Sequence, residues 1–392
     1  MSARRPGHQV SEQRCLQQLQ QKQRDGDLQV RTAAEYRDLV QHQGLDAAYQ
    51  QTDVVAAADT VLSDQGSVLL TLGPCDPPIR FKEVQLGGVA AQVAGSGGEL
   101  VLPLGGALGE PARRSGAQVL AELLAGQPLP LQGLGEPTAL QPRQELSGEA
   151  RLGDFGVARL LLHRAICENG IVAVNSADGL LRSSYGPLLG PLVSGLYSCA
   201  GAGSIGLTMP ALSQLGAGSP VLVGGGVGWV LGAGSGHHPG ARRQASGHAC
   251  VPAACAAVMV DLEQLRPEVV RACYLEGHGA ALLLPIAAPV LLLSRAAAEQ
   301  AAAGNDALQA PVLDLAVPRR VKPQLGSLSY AQLHSGVARV QERTLRCAPA
   351  HSPRLAEAAA EQLRTALLEN RFPLQLPLHP LPSTPALRPF DP

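Results

Sequence analysis

Apolar positions along this chain fall mostly in short runs broken by glycine, proline and polar clusters, and only a few stretches keep a helical period. Between Val54 and Leu104 the segments SVLLTL, FKEVQL, VAAQVA and ELVLPL read as strands, because each is a brief apolar or alternating run bounded by turn residues. Helical spacing first appears at Tyr36, Leu39 and Val40. Thr32-Ala-Ala-Glu35 precedes them as a capping box, in which threonine and glutamate each satisfy an orphan N–H. Gly44 ends that helix, and a second is expected over 46–51. Residues 15–24 read as a polar, Gln-rich helix, and 116–125 as a helix with Val119, Leu120 and Leu123 inward. Residues 155–169 are also expected to be helical. Further on, IVAVN reads as a buried strand and ADGLLRSSYG as a hairpin turn into another. VPAACAAVMVDL, GAALLLPIAAPVLLLS and APVLDLAVP are apolar enough for interior strands, with Pro285 and Pro289 splitting the second into two. Ser329 and Gln332 form another capping box, and 353–370 is an amphipathic helix with Leu355, Ala359, Leu363 and Leu367 in one stripe.

Strands and helices mix without regular βαβ units, so the fold expected is α/β or α+β, a mixed sheet with flanking helices in irregular order. Residues 1–27 are expected to be a flexible segment, 28–370 the folded domain, and the proline-rich 371–392 a disordered tail. Hydrophobic residues make up 45% of the chain but aromatics only 3%, so the core must be built from Ala, Leu and Val. A formal net charge of −1 argues against nucleic acid or an anionic membrane as the main partner. The start lacks an apolar signal core, and the most apolar run, 280–293, is too short to span a bilayer. A cytoplasmic protein acting on a small molecule is the expectation. The eight cysteines are scattered, which fits reduced thiols.

The densest signal is SPVLVGGGVGWVLGAGSGHHP, where a short apolar run meets Gly224, Gly225, Gly226, Gly228, Gly232, Gly234 and Gly236. Glycine loses the most entropy on folding, so such density suggests a main-chain cradle whose amides hold an anion or small polar ligand. Tight turns between buried strands are the competing reading. Gly226-Val-Gly228 followed by Gly232 is one residue longer than the dinucleotide fingerprint, and no phosphate-binding G-x-x-x-x-G-K-[ST] loop occurs. No clear motif therefore encodes a cofactor, although a nucleotide-dependent enzyme stays open.

Several segments together resemble the homocysteine biosynthesis (sulfur-incorporation) family, whose characterised activity is L-aspartate semialdehyde sulfurtransferase. They are TAAEYRDLVQHQGLDAAYQQTDVV, GPCDPPIRF, VAVNSADGLLRSSYGPLLG, LYSCAGAGSIG, QLGAGSPVLVGGGVGWVLGAGSGHHP and LAVPRRVKPQLGSLSYAQLHSG. The resemblance implies a cysteine persulfide whose terminal sulfur attacks the aldehyde. It also implies two electrons to reach the thiol, from a separate iron–sulfur or other reductant protein. Thiolate chemistry suits both carrying and donating sulfur. Two departures stand out. The family's Cys-Ser-Ser-Gly-like turn corresponds to TVLSDQGSVLL, which has no cysteine, and the cysteine expected before Pro142-Arg143 is also missing. Many members carry C-terminal regulatory domains, and none is expected here.

Cys75, in GPCDPPIR, is the candidate relocated nucleophile, and His237, just after the glycine run, the candidate acid or base. Gly216, Gly218, Gly224, Gly225, Gly226 and Gly228, with Asn175 and Tyr185, are the candidate substrate-binding residues. Cys199, the Cys250/Cys255 pair near His248, and Cys273 with Glu276 and His278 carry weaker signals, and no metal site is expected. The alternative function is a non-catalytic small-ligand or regulatory protein that kept the pocket and lost the thiols.

Overall fold

A computed structural model describes residues 14–95, 98–105, 114–388 and 390. Its short strands assemble into two main sheets. The larger runs Val30–Thr32, Val54–Ser63, Gly279–Leu291, Pro220–Val223, Gly226–Ala233, Cys255–Asp261, Phe155–Cys167 and Gly66–Leu72. It continues through the Val54–Leu104 strands foreseen from sequence to Leu129–Gly135 and Glu145–Ala150. Every pairing in it is antiparallel except Val30–Thr32 with Val54–Ser63. Val54–Ser63 and Gly66–Leu72 are separated in this order by five strands, yet Asp64 and Gln65 alone join them. The sheet therefore curls back on itself, and the Gln65 carbonyl accepts from the His163 N–H at 3.0 Å.

The smaller sheet is mixed: Val172–Val174 lies parallel to Gln309–Asp314 and antiparallel to Ser194–Tyr197, which runs parallel to Arg343–Pro349. Helices flank both sheets, as expected of an α+β protein. Helix Pro353–Leu368 lays Ala356, Ala359, Ala360 and Leu363 on Val54, Ala56 and Ala58. Alanine on both surfaces lets helix and strand approach closely, which offsets the scarcity of aromatics. Both capping boxes form: Thr32 Oγ1 accepts from Glu35 N at 3.2 Å, and Ser329 Oγ from Gln332 N at 3.2 Å.

Four sequence expectations are corrected. Residues 155–167 form one long strand, Phe155–Cys167, not a helix, because both its edges are taken by neighbouring strands. Pro285 and Pro289 do not split their run, which is the single strand Gly279–Leu291. The Pro285 carbonyl accepts from Gly224 N, so both rings turn their missing N–H toward the short strand Pro220–Val223 and spare the pairing with Val54–Ser63. In the segment expected to be flexible, helix Leu16–Asp25 buries Leu19, and Gln23 donates to the Leu367 and Phe372 carbonyls. In the tail, Phe372 and Leu374 are buried and His379–Pro380 pairs with Gly216–Ala217. Residues 1–13, the start of the segment expected to be flexible, lie outside the described residues. No helix among the described residues is long and apolar enough to cross a membrane.

Candidate active site

The chain leaves the large sheet for the small one between Cys167 and Val172, and a cavity of about 270 Å³ opens at that crossing. Its walls come from the end of Val54–Ser63 with the Asp64-Gln65 turn, from Arg164 to Ile171, and from Ser184-Tyr185, Ser198-Cys199 and His278. A volume at the low end of ligand pockets suits a small metabolite better than a dinucleotide. The crossing is pinned by buried polar groups. Asn169 donates to the Ala249 and Gln309 carbonyls at 2.7 and 2.9 Å and accepts from Gly170 N and the Tyr330 hydroxyl. Glu168, fully buried, accepts from Ala211 N and Ala254 N and pairs with the Arg243 guanidinium.

Cys167, at the strand's last position, faces this cavity. Its Sγ lies 3.4 Å from Cys255 Sγ and 3.4 Å from Arg164 Nε. The hydrogen bond from Cys255 and then the Arg164 guanidinium hold the Cys167 thiol down at about 6, against burial, which raises it. The same hydrogen bond, with burial, pushes Cys255 up, so Cys255 keeps its proton and donates it to the Cys167 thiolate. Asp59 lines the same cavity. Burial raises its carboxyl to about 7, opposed by the Ile205 N–H it accepts at 3.0 Å, and the nearby Cys167 charge raises it further. Burial also raises Tyr185, against the pull of Arg164. Cys199 is pushed up to about 11 by burial and the Asp59 charge, so it stays a thiol. His278 and Asp64 meet at 3.2 Å on the remaining polar wall.

Of the residues singled out from sequence, Tyr185 alone of the binding set lines this cavity. The glycine-rich stretch is a β-hairpin, Pro220–Val223 with Gly226–Ala233, rather than an open cradle. Its two-residue turn, Gly224-Gly225, has φ of +52° and +91°, a backbone that only glycine adopts without strain. Gly224 N is taken by the Pro285 carbonyl, Gly218 N by the Val230 carbonyl and Gly216 N by Ser219 Oγ. Gly226 and Gly228 are close-packed, a Cβ there falling 2.5 Å from the Gln264 carbonyl oxygen and 2.8 Å from that of Met259. Asn175 is buried, holding the Gly179 and Leu188 carbonyls and Ala177 N. His237 accepts from Cys255 N on Nδ1 at 3.1 Å, so Nε2 carries the proton that it donates to the Pro382 carbonyl at 2.8 Å. It braces the Cys255 backbone and does not line the cavity. Cys75 lies elsewhere, its thiol toward the Pro77 carbonyl at 3.4 Å.

The sequence carries no local signal for Cys167 and Arg164, because their segment reads as a helix and the partner thiol lies 88 positions away. On a strand, Arg164 and Cys167 would ordinarily face opposite sides. A register shift between Ala256 and Val258 of the neighbouring strand spans this stretch, and the two side chains meet. The end of the glycine run does reach the site. A Cβ on Gly234 would fall 2.7 Å from Cys255 Sγ, and one on Gly236 would fall 2.9 Å from Arg164 Nε. Their role is to leave room.

A depressed thiol, a second thiol in contact, a guanidinium and a near-neutral carboxyl make a site suited to cysteine-based nucleophilic chemistry on a small molecule. The chain belongs to the homocysteine biosynthesis enzyme, sulfur-incorporation family, which it matches over residues 28–374. It is 25% identical over 379 residues to the L-aspartate semialdehyde sulfurtransferase of Methanocaldococcus jannaschii, covering 92% of this chain and 71% of that one. It is likewise 25% identical over 377 residues to the enzyme of the same name from Methanosarcina acetivorans, covering 94% and 72%. No solved structure matches the chain. The stretch TVLSDQGSVLL, read from sequence as the counterpart of the family's cysteine-bearing turn, lends Thr60 to Gln65 to the cavity wall.

Proposed function

We propose that this chain transfers sulfur from a persulfide on Cys167 to the aldehyde carbon of L-aspartate semialdehyde, on the way to homocysteine. The observation that carries this reading is the Cys167 thiol, depressed to about 6 by the hydrogen bond from Cys255 and by Arg164 on the wall of a small cavity, in a member of a sulfur-incorporation family. Cys167 takes the role that the sequence pattern gives to Cys75, in a cavity whose wall also includes Thr60 to Gln65. The terminal persulfide sulfur adds to the carbonyl carbon, and the alkoxide that forms takes a proton from Asp59. A carboxyl near 7 is divided between its acid and base forms at neutral pH, which suits that transfer. Arg164 has N–H groups beyond the Nε bonded to Cys167, and with the Tyr185 hydroxyl these are the donors for the substrate carboxylate. The substrate is a small metabolite in the cytoplasm, and a separate iron–sulfur or other reductant protein supplies electrons.

Complementation of a homocysteine auxotroph tests the reading. Wild-type chain should restore growth, Cys75→Ser should keep it and Cys167→Ser should abolish it. Growth on Cys167→Ser equal to wild type would remove Cys167 from the chemistry.

A further inference from the structure

Cys167 and Cys255 are direct cross-strand partners in the register of their two strands. The next pair along, Glu168 and Ala254, is joined by the Glu168 N–H to the Ala254 carbonyl at 2.8 Å. Hydrogen-bonded and non-hydrogen-bonded pairs alternate along an antiparallel ladder, so the two cysteines occupy a non-hydrogen-bonded position. Cα atoms there approach to about 4.5 Å, inside the range of about 4.4–6.8 Å that a disulfide spans. The sulfurs, at 3.4 Å, need to close by only about 1.4 Å to bond. One of the two faces the cavity and the other is buried behind it, 1% exposed. Three features hold the buried one in line. Glu168 clamps the Ala254 amide, His237 accepts from the Cys255 amide, and Gly234 leaves space against Cys255 Sγ.

We propose that Cys255 is the resolving thiol of the site: it attacks Cys167 Sγ, expels the sulfur that Cys167 carries, and leaves a cross-strand disulfide for an external dithiol to reduce. This deepens the reading of Cys167 as sulfur carrier and rests on it. A bond forms between the two Sγ atoms, and the bond from Cys167 Sγ to the carried sulfur breaks. That sulfur leaves with the electron pair, as hydrosulfide or already bound to the substrate carbon, and takes the proton Cys255 gives up. The protein dithiol is oxidised and the carried sulfur reduced. Reduction of the substrate carbon draws a further electron pair from the reductant protein. The electrostatics favour this order of events. While Cys167 is an anion it suppresses ionisation of Cys255. Once Cys167 Sγ is bonded to a second sulfur that charge leaves it, and the Gly236 amide and Arg164 become available to a Cys255 thiolate. Resetting is equally directed, because an incoming dithiol meets Cys167 Sγ, the sulfur on the cavity side.

The test uses the full chain in two arms. In the first, wild type is oxidised with diamide and digested without reductant. Mass spectrometry should find a Cys167–Cys255 linked peptide that dithiothreitol separates. In the second, reduced protein freed of dithiol is loaded with polysulfide. Wild type should release sulfide and end as the disulfide, whereas Cys255→Ser and Cys255→Ala should keep the extra sulfur on Cys167 and release it about tenfold more slowly or less. Two variants guard against misfolding, checked by circular dichroism melts. Absence of the linked peptide, or release from the folded variants at the wild-type rate, would overturn the proposal. A wild type that forms the disulfide but never takes up sulfur on Cys167 would instead sink the carrier role, and the resolving role with it.

Discussion

Cys167 shows how far an environment can move one side chain. An ordinary thiol is mostly protonated at neutral pH, whereas a donor thiol and a guanidinium within 3.4 Å bring this one to about 6. The shift is also a stability term. A folded-state value below the unfolded one favours the native state above the ordinary thiol range, and this contribution fades as pH falls through about 6. Asp59 has the opposite sign. Its carboxyl is raised to about 7, so the native state holds a proton the unfolded chain would release, and stability from this group falls as pH rises toward 7. Loading of sulfur needs Cys167 ionised, and addition to the carbonyl needs Asp59 protonated. Turnover should therefore fall on both sides of a maximum, on the acid side as Cys167 takes up a proton and on the alkaline side as Asp59 loses one. Iodoacetamide modification of Cys167, followed by peptide mass spectrometry, should rise once through about pH 6 and then level off. Modification that rises only near pH 9 would show an ordinary thiol.

At the scale of elements, the site depends on a strand end being held where two sheets part. Glu168 follows Cys167 directly and has no exposed surface, so its charge relies on Arg243 and two backbone amides. Removing the guanidinium leaves a buried carboxylate without its counter-ion. Arg243→Ala should lose about 3 kcal/mol in urea denaturation, the low end of the range because both amides remain. It should also raise the apparent titration of Cys167, since the clamp on Ala254 sets where Cys255 lies. An unchanged denaturation midpoint would show the ion pair to be dispensable. The glycine hairpin belongs to this scale too. Gly224 and Gly225 make the turn, while Gly234 and Gly236 clear space for Cys255 and Arg164.

The whole molecule is closed by its last residues. Phe372 and Leu374 fill the groove beside helix Leu16–Asp25, Leu378 N bonds the Ala217 carbonyl, and the Pro382 carbonyl holds His237. Truncation after Asn370 should cost about 5 kcal/mol or more from the lost apolar burial and lower the melting temperature by many degrees. It should also free the His237 ring that braces Cys255, so the diamide disulfide should form less completely. A truncated chain that melts with wild type would show the tail to be passive.

Local chemistry was written in the sequence wherever one segment sufficed. Thr32 with Glu35, Ser329 with Gln332, the stripe of 353–370 and the short strands after Val54 all depend on neighbours a few residues away, and their expected forms are the observed ones. The family also followed from the order of motifs along the chain. The site did not. Arg164 and Cys167 look helical in isolation, and nothing near residue 167 announces Cys255, which lies 88 positions away. Only the pairing of Phe155–Cys167 with Cys255–Asp261 places the two sulfurs in contact, and the curl of the large sheet brings the end of Val54–Ser63, with Asp59, to the same cavity as Tyr185. Strand pairing between distant segments is a property of the whole packed sheet, so sequence set the local elements and the lineage, and tertiary structure decided which thiols meet.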